Sequence, residues 1–342
     1  MDAADSKRLG ERVGPGDYHA PGWLPGGHAQ TIYASLFAPA PGVDYRRAEW
    51  ETPDGDFIEL DWVDGPADAP LVVLFHGLEG GSGSHYALSL MHHVRERGWR
   101  GVIPHFRGCG SRPNRLPRAY HSGDFEELDW VLGRLAAQAG PAARFAVGVS
   151  LGGNALLKWL AVQGAGAAQV LRAAAAVSAP MDLRAAGHGL GRGFNRLYTW
   201  QFLRTLKPKS LEKLARHPGL YDGERVARAR NLHEFDDLVT APLHGFSGAD
   251  DYWTRASSKP DLRSIQLPTL LLHARNDPFL PGRFLPAADE VSTSVTLEYP
   301  DTGGHVAFVT GPFPGRLDWL PRRLLAFFER EAAPHGLRTN MG

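Results

Sequence analysis

The chain is nearly without cysteine. Cys109 is the only one among 342 residues, so no internal disulfide can form. Charge of one sign is also missing. Thirty-seven Lys and Arg face 37 Asp and Glu, so nothing in the charge balance calls for a polyanion, and nucleic acid is not an expected partner. No apolar run approaches the roughly 18 residues of a membrane span; the nearest, Leu171 to Pro180, is short and alanine-rich. Contact with a membrane surface stays open. The first residues are polar where a signal peptide needs an apolar stretch of about 7 to 15 residues. Together these absences favour small-molecule chemistry in a reducing, cytoplasmic compartment. Nucleotide and metal signatures are missing too. There is no Gly-Lys-Ser/Thr, no Gly-x-Gly-x-x-Gly and no His-Glu-x-x-His, and His92 and His93 would point to different faces of a helix. No metal and no cofactor are expected.

What the chain does have is apolar residues, at 43% of positions, enough for one large core. Residues 1–42 are rich in Gly, Pro and Ala without sustained periodicity and read as an extended N-terminal arm, although Trp23 to Thr31 is too particular a string for a linker. Tyr45 to Trp62 alternates on both sides of Pro53-Asp54-Gly55, the pattern of a β-hairpin. Beyond it, continuous apolar runs at Leu71–Phe75, Gly101–Pro104, Arg144–Val149, Leu171–Val177 and Thr269–His273 read as buried parallel strands. Helical patterns at Ser84–Arg97, Phe125–Gln138 and Asn154–Gln163 lie between them. This alternation predicts an α/β protein with a mostly parallel central sheet flanked by helices.

One interval breaks the alternation. Residues 181–261 carry helical patterns at Phe194–Thr205, Ser210–Ala215 and Glu224–Ala229 but no strand, and the interval is too long for a loop. It reads as a helical cap inserted into a core made of residues 43–180 and 262–332, with residues 333–342 as a C-terminal tail. A cap over the carboxyl ends of the strands would cover the place where open α/β sheets hold their sites. Phe194, Leu197, Tyr198, Trp200, Phe202 and Leu206 are candidates for an acyl pocket, or for packing the cap onto the body.

The chemistry centres on Gly148-Val149-Ser150-Leu151-Gly152, between a strand pattern and a helix pattern. A serine shown on so sharp a turn is strained, and the positions two before and two after it must be nearly free of side chain. A hydroxyl is a poor nucleophile at neutral pH and needs a histidine base held by a carboxylate. Among fifteen histidines, His305 in Thr302-Gly303-Gly304-His305-Val306 follows the last strand pattern, Val295–Tyr299, at its carboxyl end. Asp277 follows the strand Thr269–His273 in the same way, and Asp182 is the runner-up acid, ahead of Asp250 and Asp251. The order Ser, Asp, His is the one this topology produces. Two backbone N–H groups are needed for a tetrahedral oxyanion: Leu151, after the nucleophile, and Leu78 in His76-Gly77-Leu78-Glu79-Gly80-Gly81. His76 reads as a brace for that loop, not a catalyst.

From about Trp23 to Phe328 the chain resembles the YheT-like α/β-hydrolases, also called AB hydrolase family 4. The resemblance rests on Phe75-His76-Gly77-Leu78-Glu79-Gly80, Phe106-Arg107-Gly108-Cys109, Pro113 to Asp124, Phe235-Asp236-Asp237, Ala241 to Phe246, Ala249-Asp250-Asp251-Tyr252, Asn276-Asp277-Pro278-Phe279 and Gly303-Gly304-His305-Val306, besides the turn at Ser150. Gly110-Ser111-Arg112 departs from the family's usual string, and Gly27-His28-Ala29-Gln30-Thr31 approximates its His-x-Gln-Thr neighbourhood. The resemblance implies the α/β-hydrolase fold, with Ser150, Asp277 and His305 as nucleophile, acid and base. It also implies a serine carboxylic-ester hydrolase acting on a small-molecule acyl ester or lipid through an acyl-enzyme. Acyl transfer to an alcohol on the same triad, and a silent hydrolase fold used for binding, are the alternatives. Oligomeric state is not legible.

Overall fold

The strand patterns assemble into a single eight-stranded sheet in a computed structural model that describes residues 18–332 except 139 and 141. Its strands are β1 (Arg46–Glu51), β2 (Phe57–Val63), β3 (Leu71–Phe75), β4 (Arg100–Pro104), β5 (Arg144–Val149), β6 (Ala173–Val177), β7 (Thr269–Leu272) and β8 (Val295–Glu298), in the order β1-β2-β4-β3-β5-β6-β7-β8. The hairpin strands β1 and β2 pair antiparallel, as do β2 and β4, and every other pair is parallel. Parallel strands run buried on both faces, which is why β3 and β6 hold only apolar residues.

Alternate residues of each strand serve opposite layers. Val73, Phe75, Ala146 and Leu271 meet α3 (Phe125–Gln138) and α4 (Leu151–Gln163), which bring Leu128, Leu132, Leu156, Trp159 and Leu160. Val72, Leu74, Val147 and Leu270 meet α2 (His85–Glu96) and α9 (Trp319–Ala332), through Leu90, Met91, Leu324 and Phe328. Each such large side chain, fully buried, contributes roughly 1.5–3 kcal/mol. Every strand except β2 therefore points its carboxyl end at one edge, where the insertion sits.

Between β6 and β7 the chain forms α5 (Leu183–Leu190), α6 (Arg196–Arg216), α7 (Gly223–Arg228), short helical turns, and α8 (Ala249–Ala256), with no strand among these described residues. The two patterns Phe194–Thr205 and Ser210–Ala215 are one helix, α6, which continues through Pro208. Proline usually breaks a helix. Here the turns on either side are anchored: Leu203, Ser210 and Lys213 are buried, and Lys213 Nζ donates to Asn114 Oδ1 at 2.8 Å and to the carbonyls of Leu116 and Arg118.

The expected extended arm needs correction. Within it Gly27–Leu36 is a helix, α1, whose buried residues are Gln30, Thr31 and Ala34. Two of these are polar, so the apolar periodicity that reveals helices is missing from the letters. Residues 1–17 of the arm and the tail, 333–342, lie outside the described residues. No described helix is long and apolar enough to cross a membrane.

Candidate active site

Ser150 stands between β5 and α4 with φ 53° and ψ −120°, a region that side-chain-bearing residues rarely occupy. The turn closes because its neighbours are glycines. A Cβ on Gly148 would sit 2.5 Å from the Gly152 carbonyl oxygen, and one on Gly152 would sit 2.4 Å from that of Phe75. The Ser150 N–H donates to the Val177 carbonyl at 2.9 Å, and Asn154 N–H donates back to the Ser150 carbonyl. Strand, turn and helix thus hold the hydroxyl at the sheet edge.

His305 and Asp277 arrive from the loops after β8 and β7. His305 Nε2 lies 3.0 Å from Ser150 Oγ, and its Nδ1 lies 2.8 Å from Asp277 Oδ2. With Nδ1 facing the carboxylate, the proton sits there and the Nε2 lone pair accepts from the serine hydroxyl. Asp277 is fully buried, and its Oδ1 accepts from the Phe279 N–H at 2.8 Å, so the carboxylate has little freedom to turn. The Phe279 ring stacks on the imidazole at 4.0 Å. All three predicted residues therefore meet.

The acid and base loops are braced by a segment more than 240 residues earlier in the chain. Gln30 Oε1 accepts from Gly303 N and from Asn276 Nδ2, each at 3.0 Å, and Thr31 Oγ1 accepts from His305 N at 2.8 Å. Asn276 Oδ1 in turn accepts from Gly304 N, and a Cβ on Gly304 would meet Thr31 Oγ1 at 2.8 Å. This accounts for Gln30-Thr31 in the His28-Ala29-Gln30-Thr31 string: both are buried and hold the loops that carry Asp277 and His305 in register. The sequence marked the string as unusual but could not say what it touches.

Leu78 and Leu151, the candidate oxyanion donors, line the same cavity as Ser150. The glycine loop approaches the turn so closely that a Cβ on Gly77 would be 3.2 Å from Ser150 Cβ, and neither Leu78 N nor Leu151 N donates to a protein acceptor among the described residues. His76 braces the loop as expected. Its Nε2 accepts from Phe106 N, which leaves Nδ1–H to donate to the Gly77 carbonyl at 2.8 Å, and burial pushes its pKa down to about 3, so it stays neutral. The loop's other anchor was not foreseen. Glu79 has φ 55°, its N–H donates to Tyr120 Oη, and that hydroxyl donates back to Glu79 Oε1 at 2.8 Å. Glu79 Oε2 meets Lys209 Nζ of α6 at 2.8 Å, so the residue after the candidate donor Leu78 is tied to the insertion.

Above Ser150, Leu78 and Leu151 a cavity of about 350 Å³ opens under the insertion, walled by Leu190, Phe202, Leu206, Val239, Leu243 and Trp253. Of the six pocket candidates on α6 and just before it, Phe202 and Leu206 line it. Tyr198 instead packs on Phe279, with ring centroids 4.9 Å apart, and Phe194, Leu197 and Trp200 face solvent. The lining also includes Arg107, Lys209 and Lys213, each of which meets acceptors within the protein. Arg107 bridges Asp54 and Glu127 at 2.7 and 2.6 Å, which gives the arginine of the Phe106-Arg107 motif a structural role. Burial pushes the Cys109 thiol up to about 12, too high for a nucleophile.

The remaining candidates have structural work. Asp182 caps α5 by accepting from Ala185 N, Asp250 pairs with Arg184, Asp251 accepts from Ser247 N, and His92 pairs with Glu96. Asn154, unmarked in the sequence, is a buried hub. Its Nδ2 donates to the Ser122 and Ala256 carbonyls and its Oδ1 accepts from Ser258 N, joining the first turn of α4 to the base of the insertion. No group of three or more metal-ligating side chains comes together among the described residues.

A sheet of this order, with a strained serine after its fifth strand and partners after its seventh and eighth, defines an α/β-hydrolase. The family profile for the alpha/beta hydrolase fold matches residues 70–312, and the chain belongs to that family. Its kinship is with the YheT-like branch. It is 40% identical to YheT of Escherichia coli (strain K12), which is named as an esterase, over 87% of this chain and 88% of that protein. It is 30% identical to the human protein named Phospholipase ABHD3, over 91% of this chain and 78% of that one. Among solved structures, a membrane phospholipase A described as a bacterial virulence factor superposes with a TM-score of 0.55 at 16% identity, covering 90% of each chain, and so shares the fold.

Proposed function

We propose that the protein is a serine carboxylic-ester hydrolase. The observation that carries this reading is the continuous relay from Asp277 Oδ2 to His305 Nδ1 at 2.8 Å and from His305 Nε2 to Ser150 Oγ at 3.0 Å, at the floor of a largely apolar cavity. As Ser150 Oγ attacks an ester carbonyl, its proton passes to His305 Nε2, and Asp277 stabilises the imidazolium without taking the proton. The oxyanion accepts from Leu78 N–H and Leu151 N–H, each such donor typically contributing about 3 kcal/mol to the barrier reduction. His305 then protonates the leaving alcohol, and water, activated by the same nitrogen, releases the acid from Ser150.

The acyl chain lies against Phe202, Leu206, Val239 and Trp253, with the insertion acting as its cap. A cavity of about 350 Å³ sits at the small end of ligand sites, which favours a short or medium acyl group over a long one. The names esterase and phospholipase borne by the two relatives agree with an acyl ester as substrate. The test is turnover of p-nitrophenyl esters of graded chain length by the wild-type and Ser150→Ala proteins, with fluorophosphonate labelling of the serine. A burst and labelling lost in the variant support the reading; equal labelling of both proteins would overturn it.

A further inference from the structure

Seven large apolar side chains stand exposed among the described residues, and six of them gather around two helices. Leu36, Phe37 and Phe313 surround the end of α1, while Phe194, Leu197 and Trp200 stand at the start of α6. The ring of Phe313 lies 5.5 Å from that of Trp23 and 6.4 Å from that of Tyr33, which places it beside α1. At the other end of the same helix, His28 reaches α6: its ring is 4.7 Å from that of Phe194 and its Nδ1 is 3.1 Å from Tyr198 Oη. α1 therefore joins the two apolar groups. Clustered exposed apolar side chains of this kind mark an interaction surface.

Charge says what the surface meets. In a chain with equal numbers of acidic and basic residues, the stretch from Leu183 to Leu211 holds Arg184, Arg192, Arg196, Arg204, Lys207 and Lys209 and no Asp or Glu. Arg192, Arg196 and Arg204 are exposed and make no ion pair among the described residues; the Arg204 guanidinium lies 4.8 Å over the Trp200 ring. On α6, Leu197, Trp200 and Arg204 fall on one side and Phe202, Leu206 and Lys209, which line the cavity, fall on the other. The helix thus divides its faces between the cavity and this surface. Ring contacts connect the two: Phe194 to Tyr198 at 6.2 Å, Tyr198 to Phe279 at 4.9 Å, and Phe279 to His305 at 4.0 Å.

We propose that the outer face of α1 and the first half of α6 seat the protein on an anionic membrane surface. Lipid phosphates pair with Arg192, Arg196 and Arg204, while Phe194, Leu197, Trp200, Leu36 and Phe37 enter the boundary between headgroups and acyl chains. A basic helix face with Trp, Phe and Leu is the combination that lies in such an interface. A second copy of the chain fits this face poorly, because a two-fold contact would set the unpaired arginines against each other. The docking goes beyond the ester-hydrolase reading and stands without it.

The test uses the full chain carrying Ser150→Ala, so that hydrolysis plays no part, in flotation with vesicles of phosphatidylcholine alone and of phosphatidylcholine with about 30 mol% phosphatidylglycerol. The expected result is flotation with the anionic vesicles at least tenfold stronger than with the neutral ones, and weakened by about 0.5 M NaCl. Leu197→Glu with Trp200→Glu should lower binding at least tenfold, and Arg192→Glu with Arg196→Glu should remove the preference for anionic lipid. In the protein that keeps Ser150, the same surface changes should leave melting temperature and turnover of a soluble short-chain ester unaltered. No flotation with anionic vesicles, or flotation that the surface variants do not change, overturns the proposal. So does a dimer in sedimentation that Trp200→Glu disperses, which would give the face to a second copy.

Discussion

The sheet edge and the insertion above it are held together in different ways. At the edge, backbone meets backbone, Ser150 N to the Val177 carbonyl, Gly152 against the Phe75 carbonyl and Asp277 N to the Ala274 carbonyl, with the side chains of Gln30 and Thr31 added where the loops after β7 and β8 meet. The insertion is held by long side chains reaching down, Lys213 to Asn114, Lys209 to Glu79, and Asn195 Nδ2 to the Pro278 carbonyl at 2.7 Å. Backbone contacts between packed strands leave one arrangement. Side-chain tethers of this kind are set by single residues and can be altered one at a time. The candidate triad thus rests on the sheet edge, and most of the cavity wall above it rests on the insertion.

The largest losses are expected from changes at the sheet edge. Ser150→Ala should lower kcat/KM by about 10⁴ to 10⁶ with the melting temperature unchanged, as burst kinetics and calorimetry would show. Asp277→Asn should keep the geometry yet cost about 10³ to 10⁴ in kcat, since the amide can donate to Nδ1 and hold the wrong tautomer. In both, the rate loss should be far larger than any change that follows from altering the insertion.

Stability should separate the regions by pH. In the insertion, burial pushes the Asp236 carboxyl up to about 6, although Thr240 Oγ1 and Trp253 Nε1 donate to it at 2.7 and 2.8 Å. The folded chain therefore keeps this proton up to about pH 6, whereas an unfolded chain releases it near 3.9. Stability contributed by this group is full below the lower value, declines as pH rises through the window by up to roughly 3 kcal/mol, and is flat above it. In urea unfolding between pH 4 and 7, the difference in stability between wild type and Asp236→Asn should carry this slope, because the other buried titrating groups are common to both.

Smaller effects test the tether between the regions. Glu79→Gln removes the charge that meets Lys209 while keeping the bond to Tyr120; it should lower kcat about tenfold with KM little changed, because the Leu78 donor acts in the transition state. Lys209→Met should do the same, and the double variant should fall short of the product of the two, the sign of one shared interaction. Smallest of all, Leu206→Ala should leave the acetate ester's kcat/KM within about threefold and move the preferred acyl length upward by one or two carbons, read from the ester series.

Much of the edge could be read from letters because each part is local. The strand runs, the Gly148-to-Gly152 turn and the positions of Asp277 and His305 just after strands all follow from short-range rules, and all three residues meet as expected. What escaped was set by contacts far apart in sequence. Gln30 and Thr31 brace loops 246 and 274 residues away, and their burial as polar residues hid the helix they lie on. The patterns Phe194–Thr205 and Ser210–Ala215 read as separate helices, whereas they form one, whose turn after Pro208 is held by the buried Lys213 of the same helix. On α6 a mixed string of aromatics cannot say which face turns inward, and three of six pocket candidates face solvent.

From the letters alone, then, came the fold class, the strained turn and the candidate triad Ser150, Asp277 and His305, since backbone stereochemistry and strand periodicity act over a few residues and leave a legible pattern. The folded molecule alone settled which loops brace the histidine, how Glu79 links the glycine loop to the insertion, and which side of α6 meets the cavity and which meets the outside. Those depend on long-range packing, where the same Phe or Lys serves equally well as core, wall or surface until its neighbours are in place.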